Sequence, residues 1–243
     1  MKETEATAGP AAGATPNVFE FDALEAAGNY RAALLREFGP HLQGCVLEIG
    51  AGVGHLTRML RALGPVRQVL AVEPDFRFCQ AIQASFPDQP VLCGTAAALD
   101  APGDAILSIN VLEHIREDEE ELKTYHRLLS ARSGVLCLFT PARPEIYAPL
   151  DRQFGHYRRY TKPELETKLR AAGFEILGLR YFNWLGYFAW WFGFRILKKT
   201  AFDKGAVKFY DRCLFPLVYW METHVARPPF GQSLIATARA ARR

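Results

Sequence analysis

Three glycines at alternating positions, Gly50, Gly52 and Gly54, follow Glu48 at the end of a short apolar run. Glycine lets a chain turn sharply and lets its backbone lie against a ligand. An amphipathic pattern starts at His55, and the free N–H groups of a helix start face the same place. The chemistry of the stretch VLEIGAGVGHLTRML is therefore the cradling of a nucleotide-like ligand. A dinucleotide fingerprint, G-x-G-x-x-G, needs a third glycine where this chain has His55. The pattern present is E-x-G-x-G-x-G. A second acid, Glu73, ends the apolar run VLAVEP. That is roughly the spacing at which such folds set a carboxylate on ribose hydroxyls, and a carboxylate accepts from both.

Two further constellations carry reactive groups. In DAILSINVLEHI, His114 follows Asn110, Val111 and Glu113. A neutral imidazole takes a proton near pH 7, so His114 is a candidate general base; orienting the loop or the cofactor is the other reading. In LDRQFGHYRRYT, the residues Asp151, His156, Tyr157, Arg158, Arg159 and Tyr160 crowd into one segment. Arginine suits a carboxylate or phosphate through its two-pronged geometry. The competing reading is an internal ion-pair network with Asp151 and Glu164. His156 is a second candidate base.

The elements that must position these groups alternate. Strands are expected at Cys45 to Ile49, Gln68 to Val72, Val91 to Cys93, Ala105 to Ile109 and Gly134 to Phe139. Helices are expected at Phe21 to Phe38, His55 to Leu63, Phe76 to Phe86 and Asp118 to Leu129. This alternation implies right-handed βαβ units and a doubly wound parallel sheet, with ligands beyond the strand carboxyl ends. The segments carrying Glu48 to Gly54, Glu73, Gly94-Thr95 and Asn110 to His114 all fall at such ends. After Pro141 a loop rich in Pro, Arg and Tyr leads to a helix over Lys162 to Ala172. Thr161 and Glu164 form a capping box there. Phe174 to Phe182 and Ser233 to Ala238 read as last strands.

Residues 1–17 are expected to be a disordered tail and 18–182 the ligand-binding core. Residues 183–231 are expected to form a helical cap, and 232–243 the final strand with a short tail. The stretch YFNWLGYFAWWFGFRIL has one charge, Arg195, and falls short of the about 20 apolar residues of a membrane span. A cap over the site, or a homodimer surface, is the favoured reading. An interfacial helix on lipid is the alternative, helped by Trp184, Trp190, Trp191 and Lys198-Lys199.

Composition narrows the classes. Hydrophobic content of 49% supports a full core, and a formal charge of +3 gives no footprint for nucleic acid. Cys45, Cys79, Cys93, Cys137 and Cys213 are scattered without a C-x-x-C pair, so reduced cysteines and no metal site are expected. The N-terminal segment has no apolar h-region, which points to a cytoplasmic protein.

The run E-x-G-x-G-x-G resembles motif I of the class I S-adenosylmethionine (SAM)-dependent methyltransferases. VLEHI, the acidic helix REDEEEL, PARPEIYAPLD and GHYRRYT together resemble a bacterial small-molecule subgroup of that family, from about Asn29 onward. The resemblance implies a Rossmann-like fold with a seven-stranded, mostly parallel sheet, helices on both faces and a final antiparallel pair. Here that pair is interrupted by a helical aromatic insert. It implies SAM as cofactor, with S-adenosylhomocysteine as product. Tyr30, Glu48, Gly50, Gly52, Gly54, His55, Glu73, Pro74, Gly94, Thr95, Asn110 and Val111 would hold it. Thr95 stands where many relatives carry an acid for the adenine amino group. The acceptor, a small molecule methylated on O or N, would meet Asp151, His156, Tyr157, Arg158, Arg159, Tyr160 and Trp184. A lipid-linked or saccharide acceptor at a membrane surface, or SAM binding without catalysis, are the alternatives. A nicotinamide-dependent reductase is disfavoured by His55 and by the lack of a Tyr-x-x-x-Lys pair.

Overall fold

The computed structural model of the chain describes residues 26–199 and 201–241. The expected N-terminal tail, the first residues of the helix expected from Phe21, and Arg242-Arg243 lie outside them. The first helix, α1, is Gly28–Phe38. It leads into β1 (Gly44–Ile49), α2 (His55–Arg61), β2 (Val66–Glu73), α3 (Phe76–Ser85), β3 (Val91–Cys93) and β4 (Ala105–Ile109). Then follow α4 (Asp118–Ser130), β5 (Val135–Pro141), α5 (Pro149–Gln153), α6 (Lys162–Ala171) and β6 (Phe174–Phe182). Next come α7 (Trp184–Trp190), α8 (Lys204–Phe209), α9 (Phe215–His224) and β7 (Ser233–Ala240). The short helix α5 interrupts what the sequence suggested was one long loop. Pro149 opens it, where a missing N–H costs nothing.

The seven strands form one sheet in the order β3-β2-β1-β4-β5-β7-β6. β1 pairs in parallel with β2 and β4, and β4 with β5, so their carboxyl ends lie together. β7 runs antiparallel between β5 and β6, as the family resemblance implied. Successive strand residues point to opposite faces. Leu47, Ile106 and Leu136 pack with Tyr125 and Leu129 of α4 and Leu165 of α6 on one face. Val46, Leu107 and Cys137 pack with Leu34 and Phe38 of α1 and Phe215 of α9 on the other. Both faces are thus covered by helices, which explains the near-continuous apolar strands. Thr161 caps α6 by accepting from the Glu164 N–H (3.3 Å), and the Glu164 carboxylate answers the Thr161 N–H (3.4 Å).

The expectation of five reduced cysteines fails at one pair. Cys79 of α3 and Cys93 at the end of β3 are joined by a disulfide. No spacing motif marks it. The β2-β3 pairing carries Cys93 beside the helix that follows β2. Cys45, Cys137 and Cys213 are free.

Candidate active site

The glycine loop is built on backbone pairing. Gly50 N and Ala51 N both donate to the Val72 carbonyl (2.8 and 3.2 Å), bending the chain out of β1 toward β2. Gly50 has φ +71°, and a Cβ there would run into Val111, just beyond β4. Only glycine holds this conformation cheaply while admitting that neighbour. Gly52 N–H donates to Glu73 Oε2 (2.8 Å), and Asp75 N–H donates to Oε1 (2.9 Å). Glu73 is buried, which raises its pKa, while these two N–H groups act the other way. The acid expected to meet a ribose therefore also clamps the glycine loop. Its oxygens keep lone pairs for further donors.

Glu48 lies buried beneath the loop and accepts from Thr57 Oγ1 (2.6 Å). It supports α2 from below instead of facing outward. Burial, partly offset by the Thr57 hydrogen bonds, pushes its carboxyl up from 4.5 to about 8. The folded chain thus holds a proton at neutral pH that the unfolded chain has released. This contribution to stability is complete below the unfolded value and is lost as pH rises through about 8. Glu48→Gln keeps the shape without the ionisation. The substitution is expected to flatten the fall in melting temperature between roughly pH 5 and 9 in thermal scans; an unchanged slope would contradict the assignment.

Other expected cofactor residues gather at the same strand ends. Gly94 N–H donates to the Glu73 carbonyl (3.0 Å), and Thr95 is exposed at the start of the next turn. Pro74 is exposed, and His55 opens α2. Tyr30 reaches over from α1, with its ring 4.8 Å from Phe215 and 5.5 Å from Phe182.

Beyond β4, Asn110 takes a left-handed conformation at φ 52°. Arg143 after β5 and Asn183 after β6 do the same, at 68° and 61°. Side-chain residues in this region are uncommon and gather at functional sites. One helical turn, Leu112–His114, follows, with Glu113 fully buried. Burial, then the nearby His156, lowers the His114 pKa to about 4. His114 is therefore neutral at pH 7 and a weak base.

Asp151 is the hub of the Leu150 to Thr161 segment. Fully buried, it accepts from Ala148 N (2.8 Å), Arg159 Nε (2.9 Å) and Arg159 Nη2 (2.8 Å), and pairs with His156 Nδ1 (3.0 Å). Burial alone would raise its pKa, but the His156 hydrogen bond and the Arg159 charge bring it below the ordinary value. The Arg159 guanidinium also lies over Trp190, 4.4 Å from its ring centre. The other members of the cluster turn elsewhere. Arg158 pairs with Asp118 (2.8 Å) and donates to the Arg116 carbonyl (2.6 Å). Buried Tyr160 donates its hydroxyl to Asp118 (2.9 Å), and exposed Tyr157 lies under Arg116. The internal network is thus real, but it is built on Asp151 and Asp118, not Glu164.

A cavity of about 440 Å³ opens among these parts. Asn110, His156, Arg159 and Tyr30 line it, roofed by Trp190 and Phe194 of the 183–231 insert. A mostly apolar hollow with a few convergent polar groups is the usual form of a small-ligand site. Asp151, Tyr157, Arg158, Tyr160 and Trp184 are not among its lining residues. Trp184 packs on Phe188 instead (6.4 Å between ring centres). Sequence reasoning gave no site role to Trp190, Asn183 or Glu113. Glu113 was signalled only by its place beside His114. Trp190 lies six residues from Trp184, on another face of the helix, so helical spacing from Trp184 does not mark it.

A family model described as a methyltransferase domain matches residues 23–179. An uncharacterised methyltransferase of Oceanobacillus iheyensis is 29% identical over 108 residues, 42% of this chain and 50% of that protein. The chain thus spans about half the length of this relative. A complex of the Haloferax volcanii Trm112 methyltransferase activator with a putative methyltransferase gives a TM-score of 0.60 at 14% identity, covering 95% of this chain and 99% of that one. The cyclopropane synthase MmaA2 of Mycobacterium tuberculosis gives 0.57 at 18%, covering 86% and 83%. Since the family model covers more than half of the chain, the chain belongs to the methyltransferase domain family, and its seven-stranded sheet has the Rossmann-like fold of the SAM-dependent class I methyltransferases.

Proposed function

We propose that the chain transfers the methyl group of SAM to an oxygen or nitrogen of a small acceptor held in the cavity. The observation that carries this is the placement of the cavity. It abuts Asn110, next to the Val111 that seats against Gly50, and is covered by aromatic side chains. Bound SAM supplies a methyl activated by its sulfonium charge. The chain's own residues must do the rest. The glycine loop and Glu73 suit the nucleoside, and Asn110 with Val111 suits the methionine portion. Trp190 and Phe194 exclude water, and His156 and Arg159 offer polar contacts to the acceptor. Holding the acceptor in line, about 3 Å from the methyl, supplies most of the acceleration such a transfer needs. An amine with a free lone pair needs no base, whereas a hydroxyl must lose its proton beside the imidazoles. A crystal structure with S-adenosylhomocysteine tests the placement. Its sulfur is expected at the cavity beside Asn110; a sulfur directed away from it contradicts the reading.

A lipid-linked acceptor is a second reading, favoured by the outer surface of the insert. Phe192, Ile196, Leu197, Phe209, Leu217 and Trp220 are each more than half exposed. Phe209 also lines the cavity, so apolar surface runs from the hollow to the outside. Between residues 191 and 212 there are six basic residues and two acidic ones. Apolar side chains amid basic ones suit a layer containing anionic lipid. Among the described residues no helix is long and apolar enough to cross a membrane. In flotation, the protein is expected to rise with vesicles containing anionic lipid and to be left behind by neutral ones. Protein that stays at the bottom in both rules this reading out.

A further inference from the structure

We propose that Glu113, His114 and His156 bind one divalent first-row metal ion, of the zinc type, beside the acceptor cavity. One ligand atom from each lies within 4.8 Å of the other two. His156 Nε2 is 4.0 Å from Glu113 Oε1, and the two imidazole rings meet edge to face with centres 4.6 Å apart. Metal bonds of about 2.0–2.2 Å would draw these atoms together by about 1 Å, within the reach of side-chain rotation.

The hydrogen bonds behind the two rings point the same way. His156 presents Nδ1 to the Asp151 carboxylate (3.0 Å). A carboxylate is an acceptor, so Nδ1 is the donor in that bond, and Nε2 is the ring nitrogen turned toward Glu113. That Nε2 is buried and has no hydrogen-bond partner, although 94% of the side chain is removed from solvent. It faces the carboxylate of Glu113, so two common metal-ligand groups meet inside the protein at a distance too long for a direct hydrogen bond. A cation between them would bind both. His114 hydrogen-bonds the Phe154 carbonyl through one ring nitrogen, which leaves the other for a ligand. Metal-binding histidines are commonly fixed in this way, by a carboxylate or a backbone carbonyl on the far nitrogen.

Two imidazoles and one carboxylate form a borderline-soft set. They favour zinc, cobalt, iron or nickel over calcium or magnesium, and three protein ligands leave positions open. His156 lines the cavity, so an acceptor oxygen can occupy one of them. Metal ligation lowers the pKa of that hydroxyl, and its proton leaves to water. The oxygen then forms its bond to the methyl carbon as the carbon–sulfur bond breaks, and the sulfonium becomes a neutral thioether. This use of the ion rests on the acceptor reading above; the binding of the ion does not. The two histidines are then ligands, and no protein base is required.

Cobalt(II) added to chelator-treated full-length protein tests the proposal, since its visible absorption reports ligation. One ion per chain is expected, displaced by zinc. His114→Gln and Glu113→Gln are each expected to weaken it at least ~10-fold. Both variants should still bind S-adenosylhomocysteine, which shows that they fold. Absence of cobalt absorption, or equal affinity in wild type and both folded variants, overturns the proposal. Failure of the wild type to bind S-adenosylhomocysteine would instead strike the methyltransferase reading and leave the cobalt result standing.

Discussion

Asp151→Ala is expected to lower the melting temperature by about 10 °C. Asp151 is fully buried, and it anchors Arg159 through two nitrogens, His156 through one, and the start of α5 through the Ala148 N–H. Its removal leaves the buried Arg159 charge with the Ala142 carbonyl and the Trp190 ring but without its carboxylate. Breaking one side of a buried pair costs about 3–5 kcal/mol. In a domain of this size each kcal/mol shifts the midpoint by about 2–4 °C. Asp151→Asn keeps the shape and one acceptor oxygen, so it should fall between the two. A thermal scan decides the matter. A shift under about 2 °C in the alanine variant would show that Arg159 and His156 find other partners and that Asp151 does not hold the segment together.

Glu73→Ala is expected to weaken SAM and S-adenosylhomocysteine binding by about 100-fold or more. Two charge-assisted hydrogen bonds to ribose hydroxyls contribute about 1.5–3 kcal/mol each, and every 1.4 kcal/mol is tenfold in affinity. The loop adds to this loss. Without Glu73 the Gly52 and Asp75 N–H groups lose their acceptor, at 2.8 and 2.9 Å respectively. The glycine loop is then less well fixed before the ligand arrives, and ordering it adds to the cost of binding. Glu73→Gln keeps an acceptor oxygen at the same reach and should retain part of the affinity. Titration calorimetry distinguishes these outcomes. Unchanged affinity in the alanine variant would place the nucleoside elsewhere.

Much of the glycine loop's geometry was legible in the sequence because it depends on local rules. Glycines that need positive φ, an acid closing an apolar strand, and strands alternating with helices each leave a mark within a short window. Gly50 and Glu73 lie where those rules put them. The Leu150 to Thr161 segment was read less well because its side chains choose partners across the fold. Arg158, Arg159 and Tyr160 sit in one run, yet only Arg159 reaches the cavity; the others turn to Asp118, far away in sequence. Glu113 and His156 meet only because the loop after α5 folds back, with Tyr157 N–H donating to the Glu113 carbonyl (2.8 Å). The Cys79–Cys93 bond escaped for the same reason: sheet pairing, not spacing, brings the sulfurs together.

The glycine loop and Glu73 together predict one ligand, the nucleoside of SAM. Isothermal titration of the purified chain with S-adenosylhomocysteine, and separately with NADH, tests it most directly. One molecule of S-adenosylhomocysteine per chain with micromolar strength, and no heat from NADH, is the expected result. Binding of NADH with no response to S-adenosylhomocysteine would contradict it.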